Sequence, residues 1–318
     1  MAVPISQPTP IQAKPAQVIA TKSPVLRAPN KAVRIIDPEN DTYAPVVNIG
    51  LMGLPGTGKT TFLADLIKAG AKIFVINTDA GGSGEETIVA KAIKEGWRDL
   101  FKTNFRAVNI SDHESLQEFL DNPTKFYPSF YDFAPNFIAW EGFSNWQQTQ
   151  LSEYVTQMYA ESVANSTSNK TESTQRAEGL KFETADWGLI RNGTVRRIED
   201  FLQMKNEKTG ASIHHIVTVQ EAVETITIKG DGGINKSEEK ASSRPLVQGA
   251  GKNFLGQGLS VVLRLTKDGN KYLFENSSKT LGFTKNRGID LPEGKFPADA
   301  MGLVRMIEKA YDTVLFTR

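Results

Sequence analysis

Apolar residues in this chain fall into short runs, separated by stretches in which they recur at helical spacing. Residues 46–52 (VVNIGLM), 72–77 (KIFVIN), 105–110, 136–140 (NFIAW) and 213–219 (IHHIVTV) are β-rich runs bounded by polar residues or glycine, the pattern of buried strands. Between them, 61–69 (TFLADLIKA), 86–96, 112–122, 144–164 and 187–204 follow the helical period; in the last, Leu189, Ile190, Val195, Ile198, Phe201 and Leu202 gather on one side. Runs 259–266 and 271–275, split by Asp-Gly-Asn, predict a β-hairpin, 283–288 a turn and 297–311 a closing helix. Strands that alternate with helices predict an α/β fold with a mostly parallel sheet, flanking helices and a C-terminal β-hairpin. Ligands of such sheets bind at the carboxyl ends of the strands, so polar residues there are the candidates for chemistry.

The remaining segments are polar. Residues 1–44 are rich in proline and lack either period, which predicts a disordered tail ahead of a folded domain over 45–318. Stretches near 165–184 and 229–252 read as mobile loops, and no internal repeat is visible. A net charge of +1 argues against wholesale coating of a polyanion, so contact with nucleic acid has to come from local clusters. The absence of cysteine removes disulfides, Cys-zinc sites and thiol catalysis, and agrees with a reducing, cytoplasmic setting. No run approaches the ~18 apolar residues of a membrane span, and the N-terminus lacks the compact apolar core of a secretory signal, so no membrane partner is expected.

One octapeptide carries the chemistry. Gly53, Leu54, Pro55, Gly56, Thr57, Gly58, Lys59 and Thr60 spell G-x-x-x-x-G-K-[ST] between an expected strand and an expected helix that Thr61 opens. Glycines there let backbone N–H groups turn onto phosphates, Lys59 reaches the β and γ oxygens, and the Thr60 hydroxyl ligates Mg2+, so ATP and Mg2+ are the expected cofactors.

Hydrolysis needs further groups at neighbouring strand ends. Glu141 closes the 136–140 strand where a metal-side carboxylate belongs, although Asp is the usual residue; the alternative is an acid that only ends a strand. Asp79 closes the 72–77 strand and is the candidate to polarise the attacking water, with an Asx-turn as its other reading and Glu85 as the substitute base. Gln220 closes the 213–219 strand, where a neutral amide can sense a γ-phosphate. Lys285 and Arg287 sit in a basic turn that either stabilises transition-state charge, in the same or a neighbouring subunit, or is simply solvated. His214 and His215 are adjacent on a strand, face opposite ways and read as structural, as do Trp140, Phe143 and Trp146 in preference to base-stacking platforms.

Taken in order, GLPGTGKTT, IFVINTDAGG, FIAWEG, ADWG at 185–188, HIVTVQE and TKNRG resemble the phage-encoded RecA-like P-loop ATPases, a family that includes single-strand annealing recombination proteins. The resemblance covers residues 46–311, and only the phosphate loop is specific on its own. It implies a RecA-like core, Asp79 in the place of a catalytic carboxylate that is more often Glu, and Gln220 as the γ-phosphate sensor. It further implies two loops that grip single-stranded DNA, a single-strand-binding protein as partner, and a homo-oligomer in which Lys285 and Arg287 reach a neighbour's site. The implied activity is a DNA-stimulated ATPase of phage recombination or replication. A motor or loader built on the same core is the alternative, and a P-loop kinase using Arg191, Arg196 and Arg197 is a further one.

Overall fold

A computed structural model describes residues 45–79, 83–165, 184–229, 235–247, 258–276, 285, 286 and 288–317. The expected tail, the polar stretch over 166–183 and positions 230–234 and 248–252 of the second expected loop lie outside these residues.

The strands are β1 (Asn48–Gly53), β2 (Ile73–Asn77), β3 (Phe105–Asn109), β4 (Phe137–Glu141), β5 (His214–Lys229), β6 (Asn235–Pro245), β7 (Val261–Asp268), β8 (Lys271–Asn276), β9 (Lys285–Asn286) and β10 (Gly294–Pro297). The helices are α1 (Lys59–Lys68), α2 (Ser83–Lys94), α3 (Arg98–Asn104), α4 (His113–Asp121), α5 (Pro123–Phe126), α6 (Phe130–Phe133), α7 (Phe143–Asn145), α8 (Ser152–Asn165), α9 (Thr184–Leu202) and α10 (Ala300–Tyr311). A π-helical segment, Trp146–Leu151, joins α7 to α8. The sheet runs β10-β8-β7-β1-β5-β4-β2-β3, with β6 added to β5 and β9 to β7. From β3 to β7 every pairing along this path is parallel, and the β7–β8 hairpin and β10 are antiparallel. This is the α/β architecture expected from the alternation of strands and helices.

Strand alternation divides the core into two layers. Ile49, Leu51, Ile73, Val75, Phe137, Ala139, Ile216, Val261 and Leu263 point to one face and pack against Leu63, Leu66 and Ile67 of α1 and Leu303 and Ile307 of α10. Phe74, Ile76, Ile138, Trp140, Val217 and Val219 point to the other, against Leu116 and Phe119 of α4 and Ile198 and Phe201 of α9. Trp140, Phe143 and Trp146 are fully enclosed in this second layer. They are core residues, and removing one such ring costs about 3–5 kcal/mol.

Two expectations about element ends change. The strand expected to stop at Gln220 continues to Lys229 and pairs antiparallel with β6, so the polar stretch over 235–245 is the return strand of a ribbon. Val223, Thr225, Ile226, Thr227 and Ile228 favour extended backbone, and antiparallel pairing is made by backbone groups whatever the polarity of the side chains. Register shifts between Glu221 and Val223 at the start of this pairing. The second change falls in the expected turn over 283–288, where Lys285 and Asn286 pair with β7.

Candidate functional site

Register brings the predicted strand ends to one edge. Gly53 of β1 stands opposite Gln220 of β5, and Asn77 of β2 stands opposite Glu141 of β4. The loop after β1 then arches over this edge into α1. Gly53 is obligatory, because a Cβ there would meet the Leu265 carbonyl oxygen and Thr57 Oγ1, each at 2.5 Å. Gly58 has φ 98°, a left-handed conformation that L side chains rarely adopt, and it caps α1 without a side chain. Thr57 is buried and ties the loop by donating its hydroxyl to Leu54 O at 2.8 Å. Lys59 Nζ donates to Gly53 O at 2.7 Å and Leu54 O at 3.0 Å, which draws the ammonium back across the loop.

The Thr60 hydroxyl donates to Glu141 Oε1, while Glu141 Oε2 has no hydrogen-bond partner within the described structure. Glu141 is 5 % exposed, and Gly84 at the start of α2 packs directly on its carboxylate. Its main chain is clamped by Thr78, whose N–H donates to Glu141 O at 2.9 Å and whose hydroxyl donates to the same oxygen at 3.0 Å. Asn145 and Gln150 donate to Thr78 O, so α7 and the π-helical segment hold the floor of the site. π-Helical turns recur at functional sites, and this one begins five residues after Glu141. Asp79 N–H donates to Asn77 Oδ1 at 3.0 Å, an Asx-turn, and Gly142 with φ 83° leaves room for the Asp79 carboxylate. The Asx side chain of this turn is that of Asn77, and Asp79 joins it through its backbone N–H alone.

Electrostatics bind these groups into one unit. Burial raises the pKa of Glu141; the Thr60 hydrogen bond and Lys59 oppose that, and the charges of Asp79 and Glu85 add to it. Burial raises Asp79 against the pull of Lys59, and it raises Glu85 against a hydrogen bond from Asn109. Lys59 is lowered by burial, opposed by Glu141, Asp79 and Glu221 in that order. Glu141 and Asp79 act on the one Lys59 ammonium, and Glu85 adds its charge beside Glu141, an excess of negative charge that a divalent cation would neutralise. The free Glu141 oxygen beside a threonine hydroxyl matches the oxygen donors Mg2+ takes, usually one or two protein groups plus phosphate and water. Among the described residues no group of three His, Asp or Glu side chains is placed to hold a metal by itself.

Gln220 is partly exposed at this edge, and its N–H donates to Ser144 Oγ at 3.0 Å. Pairing of Lys285 with Val262 puts its backbone level with Gly50, below the loop and two strands from β1. Arg287 and the Lys285 side chain lie outside the described residues. Arg197 is 5 % exposed and bonded to Asp200 and Gln117, which makes it a packing residue and not part of a lid. His214 and His215 are buried at the opposite end of β5, as their structural reading requires.

Sequence reasoning missed the buried ion pairs beside the site. Arg264 of β7 bridges Glu221, one residue beyond Gln220, at 2.8 Å and Glu275 of β8 at 2.7 Å. Its guanidinium is pulled down by burial and raised further by hydrogen bonds and charge from Glu221 and Glu275, so that it stays ionised. An arginine and two glutamates on separate runs carry no local signal of this contact.

A Gly-rich loop between a buried strand and a helix, with a carboxylate on its threonine, defines a P-loop nucleotide-binding protein. The sequence profile of the AAA domain matches residues 47–288, and the chain belongs to that family. Among solved structures, the crystal structure of the RadB recombinase aligns at 17% identity over 81% of this chain and 90% of that chain, with a TM-score of 0.39. No curated protein matches the sequence. Among the described residues no helix is long and apolar enough to cross a membrane.

Proposed function

We propose that this protein binds and hydrolyses ATP with Mg2+ and couples that cycle to single-stranded DNA, in phage recombination by annealing or in replication. One observation carries the reading: the Thr60 hydroxyl and the Glu141 carboxylate meet at the mouth of the phosphate loop, with Glu141 Oε2 left free. Thr60 and Glu141 are the residues that would hold Mg2+, and the ion supplies neutralisation of phosphate charge. Lys59 binds the β- and γ-phosphates. Asp79, partly buried with its backbone fixed by the Asn77 side chain, orients and deprotonates the attacking water, with Glu85 as its substitute. Gln220 senses the γ-phosphate, and because β5 runs on from it into the ribbon with β6, that strand is the route to a polyanion beyond the site.

Lys285 and Arg287 act on the nucleotide of a neighbouring subunit, a role consistent with Lys285 standing away from its own phosphate loop. Hydrolysis then depends on a homo-oligomer. A single-strand-binding protein is the expected protein partner, and the host cytoplasm the expected setting.

The test is steady-state ATP turnover with and without single-stranded DNA, for the native chain and Lys59→Ala. Native protein should turn over faster with DNA, and Lys59→Ala should be inactive in both arms. Turnover by Lys59→Ala at the native rate would refute the ATPase reading, and native turnover indifferent to DNA would refute the DNA coupling alone.

A further inference from the structure

The direction in which a nucleotide must lie follows from the side of β1 that carries the acids. Glu141 ends β4, Asp79 follows the end of β2 and Gln220 lies on β5, strands on one flank of β1. A triphosphate whose γ end meets them extends its nucleoside toward the opposite flank, formed by β7 and β8. There Tyr272, the second residue of β8, lies on the phosphate loop. A Cβ on Gly58 would sit 2.8, 3.0 and 3.1 Å from three adjoining ring atoms of Tyr272, and such near-equal distances mean that the ring lies face-on to the glycine. The ring remains partly exposed, and the Lys267 ammonium lies 5.7 Å from its centre on an exposed side chain. Tyr272 is held from behind, since Ala298 N–H donates to its carbonyl and Lys267 pairs with it across the hairpin.

We propose that Tyr272 is the nucleoside wall of this site, a platform on which the base of the bound nucleotide stacks while Lys267 moves aside. An aromatic ring beside the phosphate loop suits a heteroaromatic base, and stacking asks only for a π-face, so the platform accepts purines without reading their edges. The proposal rests on the nucleotide-binding reading above and adds to it the residue that distinguishes a nucleotide from bare phosphate.

The experiment compares the binding of ATP, GTP and inorganic tripolyphosphate, each with Mg2+, to the native chain, Tyr272→Phe, Tyr272→Leu and Tyr272→Ala. Tyr272→Phe keeps the ring and should bind all three as the native chain does. Tyr272→Leu keeps an apolar cover on Gly58 but no π-face. With it and with Tyr272→Ala, ATP and GTP should weaken about ten-fold or more while tripolyphosphate is unchanged. Equal weakening of tripolyphosphate and ATP in Tyr272→Leu would overturn the proposal in favour of a ring that only shapes the loop. Unchanged ATP affinity in both variants would overturn it outright and leave the nucleotide reading intact. A native chain that binds none of the three would overturn both.

Discussion

Replacing Glu141 with Gln should make this protein more stable and nearly inactive, two effects of opposite sign from one atom. Glu141 is 5 % exposed, its pKa is raised by burial, and the carboxylates of Asp79 and Glu85 repel it. Carboxylates on adjacent strand ends stand roughly 5–7 Å apart, where like charges repel by about 2–3 kcal/mol at an effective dielectric near 20. Glutamine removes that repulsion and the desolvation of a charge, keeps an acceptor for the Thr60 hydroxyl, and gives up an attraction to Lys59 of similar size. The net expectation is a gain of about 1–2 kcal/mol, or about 2–8 °C in Tm for a domain of this size. Function moves the other way, since the free oxygen that would face Mg2+ becomes an amide, and loss of one preorganised electrostatic partner typically lowers turnover by about 10²–10³-fold. Thermal melting by circular dichroism and a phosphate-release assay measure the two effects. A Glu141→Gln protein that melts lower than native, or hydrolyses ATP at the native rate, would refute this account of the buried acids.

Two further expectations follow from buried charge. Arg264→Met leaves Glu221 and Glu275 facing each other without their cation, and it should destabilise the domain by about 3–5 kcal/mol in urea unfolding, with Arg264→Lys intermediate. The three histidines are His113, with its pKa lowered to about 4, His214, lowered to about 4, and His215, lowered to about 3, all chiefly by burial. Between these values and the ordinary 6.5 the unfolded chain binds more protons than the native one, so stability should fall as pH is lowered from about 6.5 toward 4. The raised pKa values of Asp79, Glu85 and Glu141 work in the reverse sense and offset part of the loss. Urea titrations between pH 7 and pH 4.5 should show the decline, and its slope should lessen in His215→Asn, which cannot take up a proton.

What the sequence alone determined was local. The strand-loop-helix around GLPGTGKT follows from nearest-neighbour chemistry: glycine where φ is positive at Gly58, no Cβ where Gly53 meets Leu265, and an apolar helix face to anchor α1. The strands that end at Glu141 and Asn77 were legible for the same reason, because a fully buried strand must be apolar throughout and its first polar residue marks the edge. Tertiary structure decided the rest. Register alone put Gln220 beside Gly53 and Glu141 beside Asn77, and strand order alone put Tyr272 over Gly58 and Arg264 between two glutamates. The ribbon beyond Gln220 was hidden because backbone pairing, indifferent to side-chain polarity, turned a polar stretch into a strand. Periodicity reports which face of an element is dry, whereas a site is made where separate elements meet, and that meeting is fixed by the packing of the whole sheet.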